Sequence, residues 1–264
     1  MYAFDYHRPA SLTEAGSLLG AKEDAKLLAG GMTLIPTMKQ RLANPRNLID
    51  LGRIGDLKGI AQSGNMLVIG AMTTHAEVAS SPVVKAALPG LAALAGGIGD
   101  PHVRHKGTIG GSVANNDPAA DYPAAVLALG ATITTSKREI AADDFFKGMF
   151  ATALDEGEII TKVSFPIAPK FAYEKFANPA SRYALVGVAV AQGAGGVRVA
   201  VTGAGAAGVF RVPAMEAALA TGFAATSLAG ITIDPKGLNT DIHADAEYRA
   251  HLIGVMAKRA VAKV

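Results

Sequence analysis

The chain of 264 residues contains no cysteine. That excludes disulfides, thiol nucleophiles, thiolate-bound zinc and any iron–sulfur cluster ligated by cysteines of this chain. Long apolar runs are missing too. Gly, Pro and charged residues interrupt every candidate before it reaches the roughly eighteen residues of a membrane span. The first residues, MYAFDYHRPASL, carry no basic-then-apolar targeting pattern, because Asp5 interrupts early. The expectation is a cytoplasmic chain with no transmembrane segment. Charged residues make up only 18% and the net charge is +3, a bias too small to imply nucleic acid. No run of Lys and Arg interleaved with aromatics supplies such a footprint, so no nucleic-acid partner is expected. Hydrolase, zinc-protease and P-loop motifs (G-x-S-x-G, H-E-x-x-H, G-x-x-x-x-G-K-[ST]) do not occur. Of the histidines only His102 and His105 are close, and no third imidazole completes a ligand set, so no metal site is expected.

What is present is small and apolar. Half the residues are hydrophobic and 30 are glycine, a composition of globular proteins whose backbone packs closely. Lys26–Leu28, Asn47–Leu51, Met66–Ala71, Ala131–Ser136 and Glu158–Pro166 read as strands. Thr33 reads as the N-cap of a short helix that has Pro36 in its first turn and reaches Leu42. Thr74 precedes another short helix, HAEVAS, and Pro82–Gly97 is helical but broken at Pro89-Gly90. Ala119–Leu129 reads as a helix. The prolines of PIAPK make the best domain boundary. Beyond it, two strands flank a hairpin at Gly193–Gly196, and a final helix aligns Tyr248, Leu252, Val255, Met256 and Ala260. The fold class is α+β: a two-lobed domain over about 1–170 (lobes near 1–54 and 55–170), then a smaller domain over 171–264 with an antiparallel sheet and helices.

Three glycine clusters compete for a ligand. VAVTGAGAAG places Gly203, Gly205 and Gly208 in a G-x-G-x-x-G pattern after a strand. Those glycines should open a helix directly so that its amides meet a pyrophosphate, yet VFRV intervenes before Pro213. A plain glycine turn is the simpler reading, with a nucleotide-binding module at Gly203–Gly208 as the alternative. The other two clusters suit a phosphate better. Ala29, Gly30, Gly31, Met32, Thr33 and Leu34 offer inward backbone amides, and Thr108, Gly110, Gly111 and Ser112 offer a second turn with hydroxyls. Asn115 and Asp121 suit sugar or ribityl hydroxyls. Together the two turns favour a phosphate-bearing cofactor.

AGGMTLIPTMKQRLANPRNLIDL and VRHKGTIGGSVANNDPAADYPA closely resemble the two flavin-binding segments of the FAD-binding medium subunit of molybdenum hydroxylases. That family includes carbon monoxide dehydrogenase and the flavin domain of xanthine dehydrogenase. The resemblance continues through IGAMTTHAEV, GMFATALDEGEIITKVSFP, KFANPASRYALVGVAVA and DIHADAEYRAHL, nearly the whole chain. It implies that the turns at Ala29–Leu34 and Thr108–Ser112 clasp the FAD pyrophosphate, and that Asn115 and Asp121 bond the ribityl and phosphate region. It also implies that Ile160, Lys175 and Tyr183 lie close to the isoalloxazine, with Tyr183 covering one face. Thr33 stands where a Ser is common, with its hydroxyl kept. No position matches a covalent flavin attachment, so non-covalent FAD is implied. The implied role is electron transfer from a small [2Fe–2S] subunit to an external acceptor. Molybdopterin then lies on a large partner subunit, within a dimer of heterotrimers. A free-standing FAD-dependent oxidoreductase is the rival.

Overall fold

The computed structural model describes residues 1–264 and builds three main sheets. The first is a parallel βαβ lobe. β1 (Asp5–His7) and β2 (Ala25–Leu28) flank β3 (Asn47–Asp50), and the helix Leu12–Ala21 crosses between β1 and β2. Ser11 caps that helix by accepting the Glu14 N–H. The second sheet is antiparallel, in the order β4 (Ile60–Ser63), β5 (Met66–Gly70), β10 (Ile160–Pro166), β6 (Thr132–Thr135), β7 (Glu139–Ala141). A small hairpin of β8 (Phe146–Gly148) and β9 (Ala151–Thr152) precedes β10. The third sheet runs β11 (Lys170–Ala177), β12 (Ala184–Gly193), β13 (Gly196–Thr202), β14 (Phe210–Arg211), all antiparallel.

β12 shows why its sequence is a continuous apolar run. Val186, Val188 and Val190 face a core made with Leu252, Ile253, Met256 and Ala260 of the last helix, Ala246–Val261. Ala189 and Ala191 face the opposite way, into the largest core, beside the helix Tyr122–Ala128. A strand covered on both faces has no polar side to alternate with. The alanines on one face let that helix approach closely. The largest core therefore runs across the proline-rich seam at 166–169 and binds the third sheet to the second.

Several local expectations change. Thr33 sits in helical backbone conformation and makes no capping bond, and its helix is Leu34–Lys39. The segment after Thr108 is not a loop. Thr108 is the N-cap of a helix, Ile109–Asn115, with its hydroxyl accepting the Gly111 N–H at 3.1 Å. The next helix begins at Tyr122, not Ala119, because Asp117–Ala120 forms a tight turn, with the Ala120 N–H donating to Asp117 O, and that turn is pinned from the third sheet. The Thr202 hydroxyl donates to the carbonyls of Pro118 and Ala120, and the Gly203 N–H donates to Pro118. On the last helix Tyr248 is exposed and Arg249 is buried instead, against the expected apolar face.

Candidate functional site

Between the first two lobes and the edge of the third sheet lies a cleft of about 1900 Å³, lined by the Ala29–Leu34 turn, the Thr108–Ser112 turn, Asn115, Asp121, Ile160 and Tyr183. Ordinary small-ligand sites enclose ~300–1000 Å³, so this one suits an elongated dinucleotide-sized molecule. The sequence-predicted residues converge here, with one exception: Lys175 does not line the cleft but stands behind Asp121.

The two turns contribute different groups. From Gly30 to Leu34 no backbone N–H donates to any protein acceptor, although Ile35 and Thr37 begin the helical ladder immediately after. Gly31, at φ +74°, supplies the left-handed step that turns successive amides the same way. Such a nest is an anion site in itself. In the second turn only the Thr108 N–H is unbonded, and the amides from Ile109 to Ser112 are all engaged. Ile109 donates to Thr73 O, Gly110 to Ala71 O, Gly111 to the Thr108 hydroxyl and Ser112 to Thr108 O. It offers side chains instead: the Thr108 hydroxyl, which accepts one bond and keeps its own proton, and Ser112 and Asn115, beside it on the cleft wall. The glycines also divide their labour. A Cβ at Gly30 would lie 2.0 Å from Lys106 O and one at Gly110 would lie 2.7 Å from Ala71 O, so these two let protein backbones touch. A Cβ at Gly111 would point across the gap, 3.0 Å from the Thr108 hydroxyl and 3.3 Å from Ala29 Cβ.

Residues 2–168 match the family model described as FAD binding domain in molybdopterin dehydrogenase. The chain belongs to that family. It is 38% identical to the carbon monoxide dehydrogenase medium chain of Hydrogenophaga pseudoflava, over 98% of this chain and 96% of that one. It is 37% identical to the nicotine 6-hydroxylase medium subunit of Paenarthrobacter nicotinovorans, again over 98% and 96%. The solved structure of reconstituted CO dehydrogenase from Oligotropha carboxidovorans superposes with a TM-score of 0.90 at 36% identity, covering 100% of both chains. The mixed helix-and-sheet fold is that of this FAD-binding family, an oxidoreductase subunit family. The lining of the cleft is compatible with that cofactor: spare amides on one wall would suit a diphosphate, hydroxyls lie on the other, and Gly111 leaves the gap between the turns open.

At the third-sheet end of this FAD-family cleft, Asp121 is nearly buried, and its carboxylate accepts the Tyr173 hydroxyl at 2.5 Å and the Lys175 ammonium at 3.0 Å. Burial pushes the Asp121 carboxyl up, and Lys175 and Tyr173 oppose that shift by bonding the charged form. Lys175 Nζ also donates to Gly97 O, which joins β11 to the helix Pro89–Gly96. Tyr173 escaped sequence reading, yet it sits two residues before Lys175 on one strand, on the same face. Glu158 braces the start of β10, where Ile160 meets the cleft. Burial would raise it, but bonds from Arg138, Thr135 and the Asp155 N–H hold it at about 2.

The G-x-G-x-x-G cluster forms no ligand cradle. Gly205 pairs with Leu238 in an isolated bridge, its Cβ position falls 2.6 Å from Gly208 O, and β14 intervenes before the helix Pro213–Thr221. The dinucleotide alternative is thereby removed, since no helix N-terminus faces those glycines.

His75, also missed from sequence, lines the cleft floor while 5% exposed, and its Nδ1 has no partner. Its only signal was a lone imidazole after Thr74. Burial, and secondarily Arg104, lowers its pKa to about 4, so the folded chain holds it neutral. The unfolded chain binds that proton first, at roughly pH 6.5. Stability from this group is therefore complete above pH 6.5 and lost as pH falls towards 4, by about 3 kcal/mol in all. Urea unfolding of the apoprotein against its His75→Gln variant should show the wild type losing that much more between those pH values. Parallel curves would refute it.

Proposed function

We propose that the chain is the FAD-carrying electron-transfer subunit of a molybdenum hydroxylase, receiving electrons from the [2Fe–2S] clusters of a small partner and passing them to an external acceptor. The observation that carries this reading is the row of unbonded amides from Gly30 to Leu34 set opposite the Thr108 and Ser112 hydroxyls in one long cleft. When bound, FAD supplies the ability to take electrons singly or in pairs. The chain's residues bind and orient. The amide nest takes the diphosphate charge, and few cations are needed there because backbone dipoles do the work. Asn115 and Asp121 accept and donate along the ribityl chain, with Asp121 held in place by Tyr173 and Lys175. Lys175 thus acts from behind Asp121. Ile160 and Tyr183 bound the ring end of the cleft, where Tyr183 covers one face.

The organisation proposed is an FAD domain over 1–170, with lobes 1–54 and 55–170, followed by a domain over 171–264. The assembly is a dimer of heterotrimers in the cytoplasm, with molybdopterin on the large subunit. No helix here is long and apolar enough to cross a membrane.

The test is the flavin itself. The chain, alone or in its complex, should carry one FAD that acid precipitation releases into the supernatant. Yellow colour kept by the pellet would overturn the non-covalent reading. A protein that stays colourless after incubation with FAD would overturn the function.

A further inference from the structure

We infer that Arg249 and Asp241 are a positioning pair that sets how Tyr183 stands over the cleft, and through Tyr183 the surroundings of the flavin ring. The inference rests on the reading in which Tyr183 covers that ring.

Arg249 belongs to the last helix and is 2% exposed. Its Nη1 donates to the carbonyls of Leu185 at 2.6 Å and Gly203 at 3.1 Å, and its Nη2 donates to Asp241 Oδ2 at 2.6 Å. One guanidinium therefore grips β12 just beyond Tyr183, the end of β13, and the loop before its own helix. If packing alone mattered, an apolar side chain of similar volume would serve with less desolvation. What the buried cation adds is direction, because its planar donors fix three acceptors at once.

Asp241 passes that direction on. Its Oδ1 accepts the N–H groups of His243 at 2.8 Å and Ala244 at 3.1 Å, and this turn presents the His243 ring edge-on to Tyr183, with centroids 6.3 Å apart and planes at 72°. Asn178 fixes Tyr183 from the other side: its side-chain amide donates to the Tyr183 hydroxyl at 2.8 Å and its N–H to the Tyr183 carbonyl at 2.9 Å. The segment leading into Tyr183 needs such support. Ser181 and Arg182 both have left-handed backbone, at φ +66° and +58°, and neither is glycine. Backbone in that region persists where its surroundings over-determine it.

Asp241→Asn in the FAD-loaded complex isolates the pair. Asn keeps Oδ1 for the turn and replaces the Oδ2 acceptor with a donor that Arg249 cannot use. FAD content should stay at the wild-type level, because the amide nest lies on the first lobe. Flavin fluorescence and the visible absorption bands should shift in the direction produced by Tyr183→Ala, and the double variant should add little further. Asp241→Glu should recover part of the wild-type signal. If Tyr183→Ala alters the flavin signals and Asp241→Asn leaves them at wild type, the positioning role is wrong and the Tyr183 reading stands. If Tyr183→Ala itself changes nothing in FAD-loaded protein, the Tyr183 reading fails and this inference with it. Should Asp241→Asn not fold, His243→Ala on the exposed loop carries the test, and wild-type flavin signals there overturn it.

Discussion

Replacing Gly111 with valine is expected to strip the chain of FAD while leaving it folded. A Cβ at Gly111 would sit 3.0 Å from the Thr108 hydroxyl and 3.3 Å from Ala29 Cβ, so valine's two methyl groups would occupy the gap between the two turns. A diphosphate in that gap would lose its bonds to the Thr108 hydroxyl and to part of the Gly30–Leu34 nest. Hydrogen bonds to charged groups contribute roughly 1.5–3 kcal/mol each. Losing two raises Kd by on the order of 10²- to 10⁴-fold. Gly111→Ala should show a much smaller loss, because its neighbours need give only a few tenths of an ångström. Gly205→Val, the contrast that the sequence alone recommends, is a poor one: a Cβ there lies 2.6 Å from Gly208 O and 2.9 Å from the Phe210 ring. Gly195→Val is the proper control, since open space surrounds Gly195 on the β12–β13 hairpin. Flavin absorbance measured on protein of wild-type circular dichroism decides the matter. FAD retained by Gly111→Val and lost by Gly195→Val would remove the diphosphate from this cleft.

What the sequence made legible was whatever local rules govern. The β12–β13 hairpin followed from two branched apolar runs around Gly193–Gly196, and the break at Pro89 from proline's missing donor. Both glycine clusters were legible in the sequence and they do line one cleft, although the second is the first turn of a helix, Ile109–Asn115. Long-range contacts were not legible. The helix start slid to Tyr122 because bonds from Thr202 and Gly203, at a different sheet, hold Asp117–Ala120 in a turn. Gly30 and Gly110 looked interchangeable with Gly111, yet they serve contacts with Lys106 and Ala71 that no spacing announces. The amides of the second turn looked free until Ala71 and Thr73 supplied acceptors. Arg249 had the sequence look of a solvated helix residue, and only the carbonyls of Leu185 and Gly203 explain its burial.

The FAD-loaded chain on its own should oxidise no organic substrate above background. It has no cysteine with which to ligate an iron–sulfur cluster. Nor does its cleft present an acid–base pair to a substrate. The most buried carboxylate of its lining, Asp121, is already engaged by Tyr173 and Lys175, and His75, on the floor, is held neutral with no carboxylate partner. General acid–base chemistry needs a group free to exchange its proton near working pH, and neither of these groups is one. Co-expression with the chains encoded beside it should yield a complex containing a small cysteine-rich subunit and a large molybdenum-binding one. Substrate-dependent reduction of an external acceptor should appear only when all three are present. Mixing separately purified chains should restore it from background to the rate of the co-expressed complex. If the isolated chain turned over an organic substrate at that full rate, the electron-transfer role would be wrong, and the free-standing flavin oxidoreductase would be the correct account of the same cleft.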